Sequence, residues 1–153
     1  MLLKIIEVYA LDRVATEGLP KDYYRLKERG EKDLGALLDY RKIDVRDREG
    51  VGEIVEAIAN KHGRLDGIIA AAGINRVISA FEHQANDFDE VLGINVTGAF
   101  LCAQAAAKQM VKSGNGGSIV LIGSMSGTIA NKVFLLSHPS LTLTARMCSL
   151  YLR

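Results

Sequence analysis

Short β-rich segments alternate with amphipathic helical segments along the chain, and this order limits the possible folds more than any other feature. Lys4 to Leu11 and Leu38 to Val45 are rich in β-branched and aromatic residues and predict strands. Leu19 to about Lys32 and Val51 to about His62 repeat apolar residues at helical spacing and predict helices. Such alternation favours an α/β fold with a parallel sheet and right-handed crossovers.

The same alternation continues in the second half of the chain. Leu65 to Ala72 is a nearly unbroken apolar run and predicts a strand that is covered on both faces. A long helix is predicted to begin at Asn86, an N-cap residue, with Asp89 completing a capping box, and to end at Ser113. Ser118 to Ile122 predicts a further buried strand.

The length of the chain, 153 residues, is that of one domain and excludes two full ones. We interpret residues 1–132 as a partial dinucleotide-binding α/β domain. Residues 133–153 follow no clear period of either two or 3.6 residues and read as a poorly specified tail.

Charge and cysteine content exclude several classes of function. Nineteen basic against 18 acidic side chains leave a net charge of +1, which argues against nucleic-acid or membrane partners. Cys102 and Cys148 lie far apart in the sequence and fit no metal-ligand spacing, and the three histidines are scattered. The opening segment lacks the features of a signal peptide. We therefore expect a cytoplasmic protein with reduced cysteines and no metal.

Ligands of open parallel sheets bind at the carboxyl ends of the strands, so the residues that end the predicted strands are the candidate ligand contacts. Asp12 ends the first strand and could accept hydrogen bonds from both hydroxyls of an adenosine ribose while repelling a 2′-phosphate. This chemistry favours NAD over NADP. The alternative is a simple turn residue, and Arg13 beside it would partly neutralise the repulsion.

The next two strand ends offer further cofactor contacts. Asp44, near the end of the second predicted strand, could accept a hydrogen bond from an adenine amino group. The third predicted strand ends in the small residues Ala71, Ala72 and Gly73, which would let a cofactor approach the backbone. Close packing explains small residues at this place equally well.

Asn95 lies on the apolar face of the long predicted helix, seven residues after Phe88. An unpaired buried amide costs about 1–3 kcal/mol, so the position predicts specific polar partners. The alternative is that Asn95 bonds the backbone of its own helix.

Ser124 follows the last predicted strand, where its hydroxyl could polarise a bound carbonyl. The surrounding Gly123 to Gly127 resembles a hydrolase nucleophile elbow, but that motif needs serine at its centre. The centre is Met125, which excludes the hydrolase interpretation.

Together these residues resemble the short-chain dehydrogenase/reductase family from about Lys4 to Lys132. Gly63 to Gly73 is similar to the family's sheet-stabilising motif, which ends in Asn-Asn-Ala-Gly, although alanines replace both asparagines. Ile94 to Gly98 is similar to the hNhxG motif that carries the catalytic asparagine. Gly116 to Ser124 is similar to the strand that delivers the catalytic serine.

The resemblance implies an NAD(P)-dependent oxidoreductase with an α/β, doubly wound, Rossmann-like parallel sheet, acting on a small carbonyl or alcohol. The segment SMSGTIANK is most similar to sugar and polyol members such as sorbose reductases and mannitol dehydrogenases. The implied catalytic residues are Ser124 and Asn95, and the implied cofactor-binding residues are Asp12, Arg13, Asp44, Val45, Ala71, Ala72 and Gly73.

Two family motifs are absent from these 153 residues: the Gly-rich TGxxxGxG turn, and a Tyr-x-x-x-Lys following Ser124. We therefore expect an incomplete sheet that lacks the family's first strand and its C-terminal strands. NAD binding should be impaired and turnover absent. The alternative is a non-enzymatic truncated variant or pseudoenzyme that acts by protein interaction. The helix from Asn86 to Ser113 could then pair with a second copy of the chain.

Overall fold

The computed structural model describes residues 6–79, 81–123 and the backbone of 148–152. The chain divides into two units, Met1–Asp44 and Val45–Arg153. Each unit contains its own small sheet, built from the predicted alternation of strands and helices. The predicted α/β fold class is thereby confirmed.

The first unit consists of a strand, a helix and a second strand. Strand β1 is Glu7–Asp12, helix α1 is Lys21–Arg29, and strand β2 is Leu37–Lys42. A π-helical turn extends α1 over Gly30–Leu34. The strands pair in parallel, with Glu7 opposite Leu37 and Asp12 opposite Lys42. None of the described residues of this unit is fully buried.

Helix α2, Arg48–His62, opens the second unit. Its N-cap Asp47 accepts a hydrogen bond from the amide of Gly50 at 3.0 Å, which satisfies one of the free donors of the first turn. The helix ends at Gly63, whose φ of 66° lies in the left-handed region that favours glycine. The predicted apolar stripe supplies core residues, since Val51 and Val55 are buried.

The long helix of the second unit is continuous but not uniform. It comprises helix α3 (Ala85–Leu92), a π-helical turn (Gly93–Gly98) and helix α4 (Ala99–Ser113). Its start corrects the prediction at Asn86 and Asp89. The N-cap is Gln84, two residues earlier, because Asp87 accepts a hydrogen bond from the amide of Gln84 at 3.3 Å, which completes the capping box there.

By length and apolar content alone this helix could cross a membrane. One of its faces, however, carries buried residues that pack on α2 and on the sheet, as in the core helix of a globular domain.

The second sheet contains three described strands in the order β3, β4 and β5. Strand β3 (Gly67–Ala70) pairs in parallel with β4 (Gly117–Leu121). Strand β5 (Cys148–Leu152) pairs antiparallel with β4. It lies within the segment whose sequence showed no clear period.

The prediction that the third strand is covered on both faces is wrong. Ile69 is 67% exposed, whereas its neighbour Ala70 is buried. Successive side chains of a strand point to opposite faces of the sheet, and only the face of Ala70 is covered by the described elements. Among the described strands, β1 and β3 belong to different sheets.

The hydrophobic core of the described residues lies entirely in the second unit. Helix α4 contributes more of its residues than any other described element and packs against α2, β3 and β4. The buried apolar residues are Val51, Val55, Ala59, Ala70, Val91, Ile94, Ala99, Leu101, Cys102, Ala106, Met110 and Ile119.

Candidate functional site

Asn95 finds its hydrogen-bond partners in the loop that follows β3. Its Oδ1 accepts from the amide of Ile74 at 2.8 Å, and its Nδ2 donates to the carbonyl oxygen of Ile74 at 2.9 Å. The side-chain amide of Asn95 therefore bonds both the N–H group and the carbonyl group of one residue, Ile74, as the backbone of a neighbouring strand would. The sequence predicts specific polar partners for this amide, and Ile74 supplies them. The alternative, that the amide bonds the backbone of its own helix, is wrong.

Gly73 lies next to this pair of bonds. A Cβ at Gly73 would meet Asn95 Oδ1 at 3.4 Å, which is ordinary contact distance. Ala71, Ala72 and Gly73 are all exposed. The structure thus brings Gly73 and Asn95 together and leaves a stretch of small, accessible residues directly after β3.

A second bond ties the same loop to the long helix. The guanidinium of Arg76 donates to the carboxylate of Glu90 on α3, and this partner raises the pKa of Arg76. The loop is therefore attached to the helix at two points, Ile74 and Arg76. Anchoring of this kind limits its movement without burying it.

Asn95 sits in the π-helical turn rather than in regular α-helix. Such turns are rare and occur frequently at functional sites. The apolar periodicity predicted an uninterrupted helix, so the sequence did not indicate this turn.

Gly98 is the last residue of the π-helical turn, and the side chain of Val45 packs closely against it. A Cβ at Gly98 would lie 2.5 Å from Val45 Cγ2, so only glycine leaves room for that side chain. Val45, predicted to contact a cofactor, thus packs on the helix. The steric need for glycine at position 98 was not predicted, although the hNhxG pattern contains that residue.

Asp12 is the last residue of β1, and its carboxylate is exposed. Oδ1 accepts a hydrogen bond from the amide of Val14 at 3.2 Å, which is the geometry of a turn residue. Arg13 is also exposed. Asp44 follows β2 by two residues and is half-buried. Asp12, Arg13 and Asp44 all lie in the first unit.

Sequence reasoning missed Tyr40, which contacts the backbone on both sides of Arg13. Its hydroxyl lies 2.6 Å from the carbonyl oxygen of Val14 and 3.1 Å from that of Asp12. Burial, reinforced by the negative charge of Asp12 and by Tyr23, raises the pKa of Tyr40. The hydroxyl therefore remains a donor at neutral pH. Its position in the middle of a predicted strand gave no signal of this role.

Ser124, predicted to be catalytic, lies outside the described residues. Cys102 is a free, buried cysteine, and burial raises the pKa of its thiol. It is therefore a packing residue of α4 rather than a nucleophile.

Solved structures of two oxidoreductases have a similar fold. The fold matches NAD⁺-bound xylitol dehydrogenase with a TM-score of 0.77 and 28% identity, over 90% of this chain and 50% of that one. It also matches NADP-bound ElxO with a TM-score of 0.66 and 28% identity, over 79% of this chain and 50% of that one. The architecture is thus the Rossmann-like α/β fold of oxidoreductases.

The sequence comparison gives the family. Residues 14–136 match the short chain dehydrogenase family. D-Threitol dehydrogenase of Mycolicibacterium smegmatis is 39% identical over 87 residues, which are 57% of this chain and 33% of that relative. The chain belongs to the short-chain dehydrogenase/reductase family. It spans about a third of the length of the curated relatives that it matches.

Proposed function

We propose that this chain carries part of the cofactor and catalytic site of a nicotinamide-dependent oxidoreductase that interconverts a carbonyl and an alcohol. The observation that carries the proposal is the pairing of Asn95 with the backbone of Ile74, directly after the exposed Gly73. This pairing attaches the family's catalytic asparagine to the small-residue end of a parallel strand, which is where such sheets bind nucleotides.

The described residues fit the adenosine part of a dinucleotide in their chemistry. Asp12 offers an exposed carboxylate for the ribose hydroxyls, with Arg13 beside it, and Asp44 an acceptor for the adenine amino group. In the second unit, Ala71, Ala72 and Gly73 present little side chain to a bound group. When bound, the nicotinamide would supply or take up the hydride.

Asn95 and Ser124 have different roles in this proposal. The amide of Asn95 is engaged with Ile74, so Asn95 holds the loop after β3 in place, and in a complete site it would organise a water-linked proton relay. Ser124 would donate a hydrogen bond to the substrate oxygen as negative charge develops there.

We propose a preference for NAD over NADP because the carboxylate of Asp12 is exposed and would repel a ribose 2′-phosphate. Relatives and structural neighbours named for polyols, D-threitol and xylitol, support a sugar or polyol substrate. A soluble, cytoplasmic protein without nucleic-acid or membrane partners accords with the near-neutral charge.

These 153 residues contain no Tyr-x-x-x-Lys after Ser124, so we propose that the chain alone does not turn over. The test is NADH oxidation by the purified chain with sugar ketones such as L-sorbose and D-fructose. We expect no rate above that of Ser124→Ala. A rate that exceeds this control would overturn the proposed inactivity.

Binding is tested separately by titrating the chain with NADH. We expect weak but saturable binding, weakened further by about tenfold or more in Asp12→Ala, since a hydrogen bond to a charged group contributes about 1.5–3 kcal/mol. Equal affinity of the wild type and Asp12→Ala would contradict the proposed ribose contact.

A second function, self-association through the long helix, is favoured by one observation. Phe100 is 58% exposed and Val111 is 71% exposed, and both lie on α4. With the exposed Gln104 and the half-buried Ala107 they form a stripe at helical spacing. Analytical ultracentrifugation tests this function: we expect a dimer that Phe100→Ser dissociates. A wild-type monomer at all concentrations would exclude it.

A further inference from the structure

The loop that carries Asp12 is held by three tyrosines of the first unit, Tyr23, Tyr24 and Tyr40, which we call the tyrosine clamp. The hydroxyl of Tyr40 reaches the carbonyl oxygens of Asp12 and Val14. The hydroxyl of Tyr24 donates to the carbonyl oxygen of Thr16 at 3.3 Å.

The rings of the clamp support one another. Tyr23 lies between the other two, with ring centroids 5.8 Å from Tyr40 and 5.4 Å from Tyr24, both in edge-to-face geometry. The clamp therefore joins α1 and β2 to three alternate carbonyl groups, those of Asp12, Val14 and Thr16.

This arrangement matters because the first unit has little else to order the loop. None of its described residues is fully buried, so packing alone cannot hold the turn after β1. The Asp12 carboxylate is tied to the amide of Val14, and the carbonyl of Val14 is tied to Tyr40. Tyr40 thus bonds the carbonyl groups of Asp12 and Val14, which belong to the peptide groups before and after the one that carries the Val14 amide, and this restrains the turn that directs the Asp12 carboxylate.

The position of Tyr40 on β2 makes it a rigid anchor. Tyr40 is paired with Ala10 of β1 in the parallel ladder, two residues before Asp12. The backbone that carries the phenol is thus part of the same sheet that carries the aspartate. A hydroxyl at this place spans from the sheet to the loop without depending on a flexible segment.

We propose that Tyr40 is a positioning residue that aims the Asp12 carboxylate and thereby sets the discrimination between an unmodified ribose and a 2′-phosphorylated ribose. This inference rests on the proposed binding of an adenosine ribose at Asp12. Tyr40 acts through the backbone of Asp12 and Val14 and need not touch the nucleotide.

The experiment compares two small probes, 5′-AMP and 2′,5′-ADP, each titrated into the full 153-residue chain and followed by ¹H–¹⁵N NMR, which measures weak affinities. In Tyr40→Phe we expect about fivefold weaker binding of 5′-AMP and less than about twofold change for 2′,5′-ADP, from loss of one hydroxyl's hydrogen bonding.

The matched control is Tyr9→Phe. Tyr9 lies on β1, and its hydroxyl donates to Glu7, away from the Asp12 loop. This variant should leave the affinity ratio of the two probes unchanged. Equal weakening of both probes in Tyr40→Phe, or no change in either, would overturn the proposal, because a merely structural role does not alter the ratio.

A separate measurement distinguishes failure of this inference from failure of the proposed function. If the wild type binds neither probe, nucleotide binding at Asp12 is wrong. The positioning role of Tyr40 is then tested by solvent exchange of the Val14 amide. We expect this exchange to be about fivefold faster in Tyr40→Phe, as for loss of a bond worth about 1 kcal/mol. The amide of Leu37, bonded to Ile6 at 2.9 Å, is the internal reference. Unchanged Val14 exchange would refute the positioning role.

Discussion

The two units of this chain order their candidate functional residues by different means. In the second unit Asn95 stands on a helix whose buried residues, Ile94 and Leu101 among them, belong to the core. In the first unit Asp12 stands on a two-stranded sheet without a fully buried described residue, and tyrosine hydroxyls hold its loop. Packing therefore fixes the helix that carries Asn95, whereas hydrogen bonds fix the turn that follows Asp12.

This difference has a physical cause. An isolated pair of strands buries little apolar surface and is marginally stable by itself, whereas a helix packed on a sheet removes much more. The sheet of the first unit has two described strands, and none of the described residues of this unit is fully buried. We therefore expect the second unit to be the more stable part, and its packing to dominate the effects of substitutions.

The largest expected effect comes from adding one methyl group at Gly98. Gly98→Ala would place a Cβ 2.5 Å from Val45 Cγ2, and overpacking of this kind costs about 1–3 kcal/mol. Urea denaturation should show this loss of stability. The control is Gly52→Ala on α2, where a new Cβ meets nothing within 4 Å and should stabilise by about 0.5–1 kcal/mol.

Similar changes of stability in Gly98→Ala and Gly52→Ala would contradict the view that packing orders the second unit. They would mean that the close approach of Val45 to the helix does not determine the stability of the second unit.

A smaller effect is expected from Asn95→Ala. The substitution removes both hydrogen bonds to Ile74, and the loss should be about 1–2 kcal/mol because Ile74 is half-buried and water can replace part of the contact. Solvent exchange of the Ile74 amide should rise at the same time. Lys108→Ala, an exposed change on the same long helix that lies outside the stripe of Phe100 and Val111, serves as the control. Unchanged Ile74 exchange would show that packing, and not Asn95, holds this loop.

The smallest expected effect is a change in the pH dependence of stability, and it comes from the exposed ion pair between Glu56 on α2 and Lys112 on α4. Lys112 lies 2.8 Å from Glu56 and, through this hydrogen bond, lowers the pKa of Glu56. A carboxyl whose folded pKa is lowered stabilises the fold above its unfolded pKa and loses that contribution as the pH falls through the folded value. In Lys112→Met the pKa of Glu56 should return toward its ordinary value, and this part of the acid dependence should disappear.

NMR titration of the Glu56 carboxyl carbon measures this shift, with Lys108→Met on the same helix as the control. Salt should diminish the shift, because the pair is exposed to solvent. A Glu56 titration curve that is identical in the wild type and in Lys112→Met would refute the assignment of the cause.

Much of the fold could be predicted because local patterns dominate it. The apolar stripe of α2 and the glycine after it, Gly63, mark the helix and its end in both sequence and structure. Asn95 was identifiable because an amide on an apolar face requires partners. The strand β5 was not predictable, since its segment shows no alternation and its pairing with β4 is long-range.

The sequence by itself determined the order of strands and helices as far as β4, the family and most of the residues of chemical interest, because periodicity and motif spacing are local properties. The tertiary structure alone decided which groups meet: Asn95 with Ile74, Val45 with Gly98, and Tyr40 with the loop of Asp12. These contacts join residues distant in the chain, and their geometry depends on how the elements pack. No local pattern contains that information.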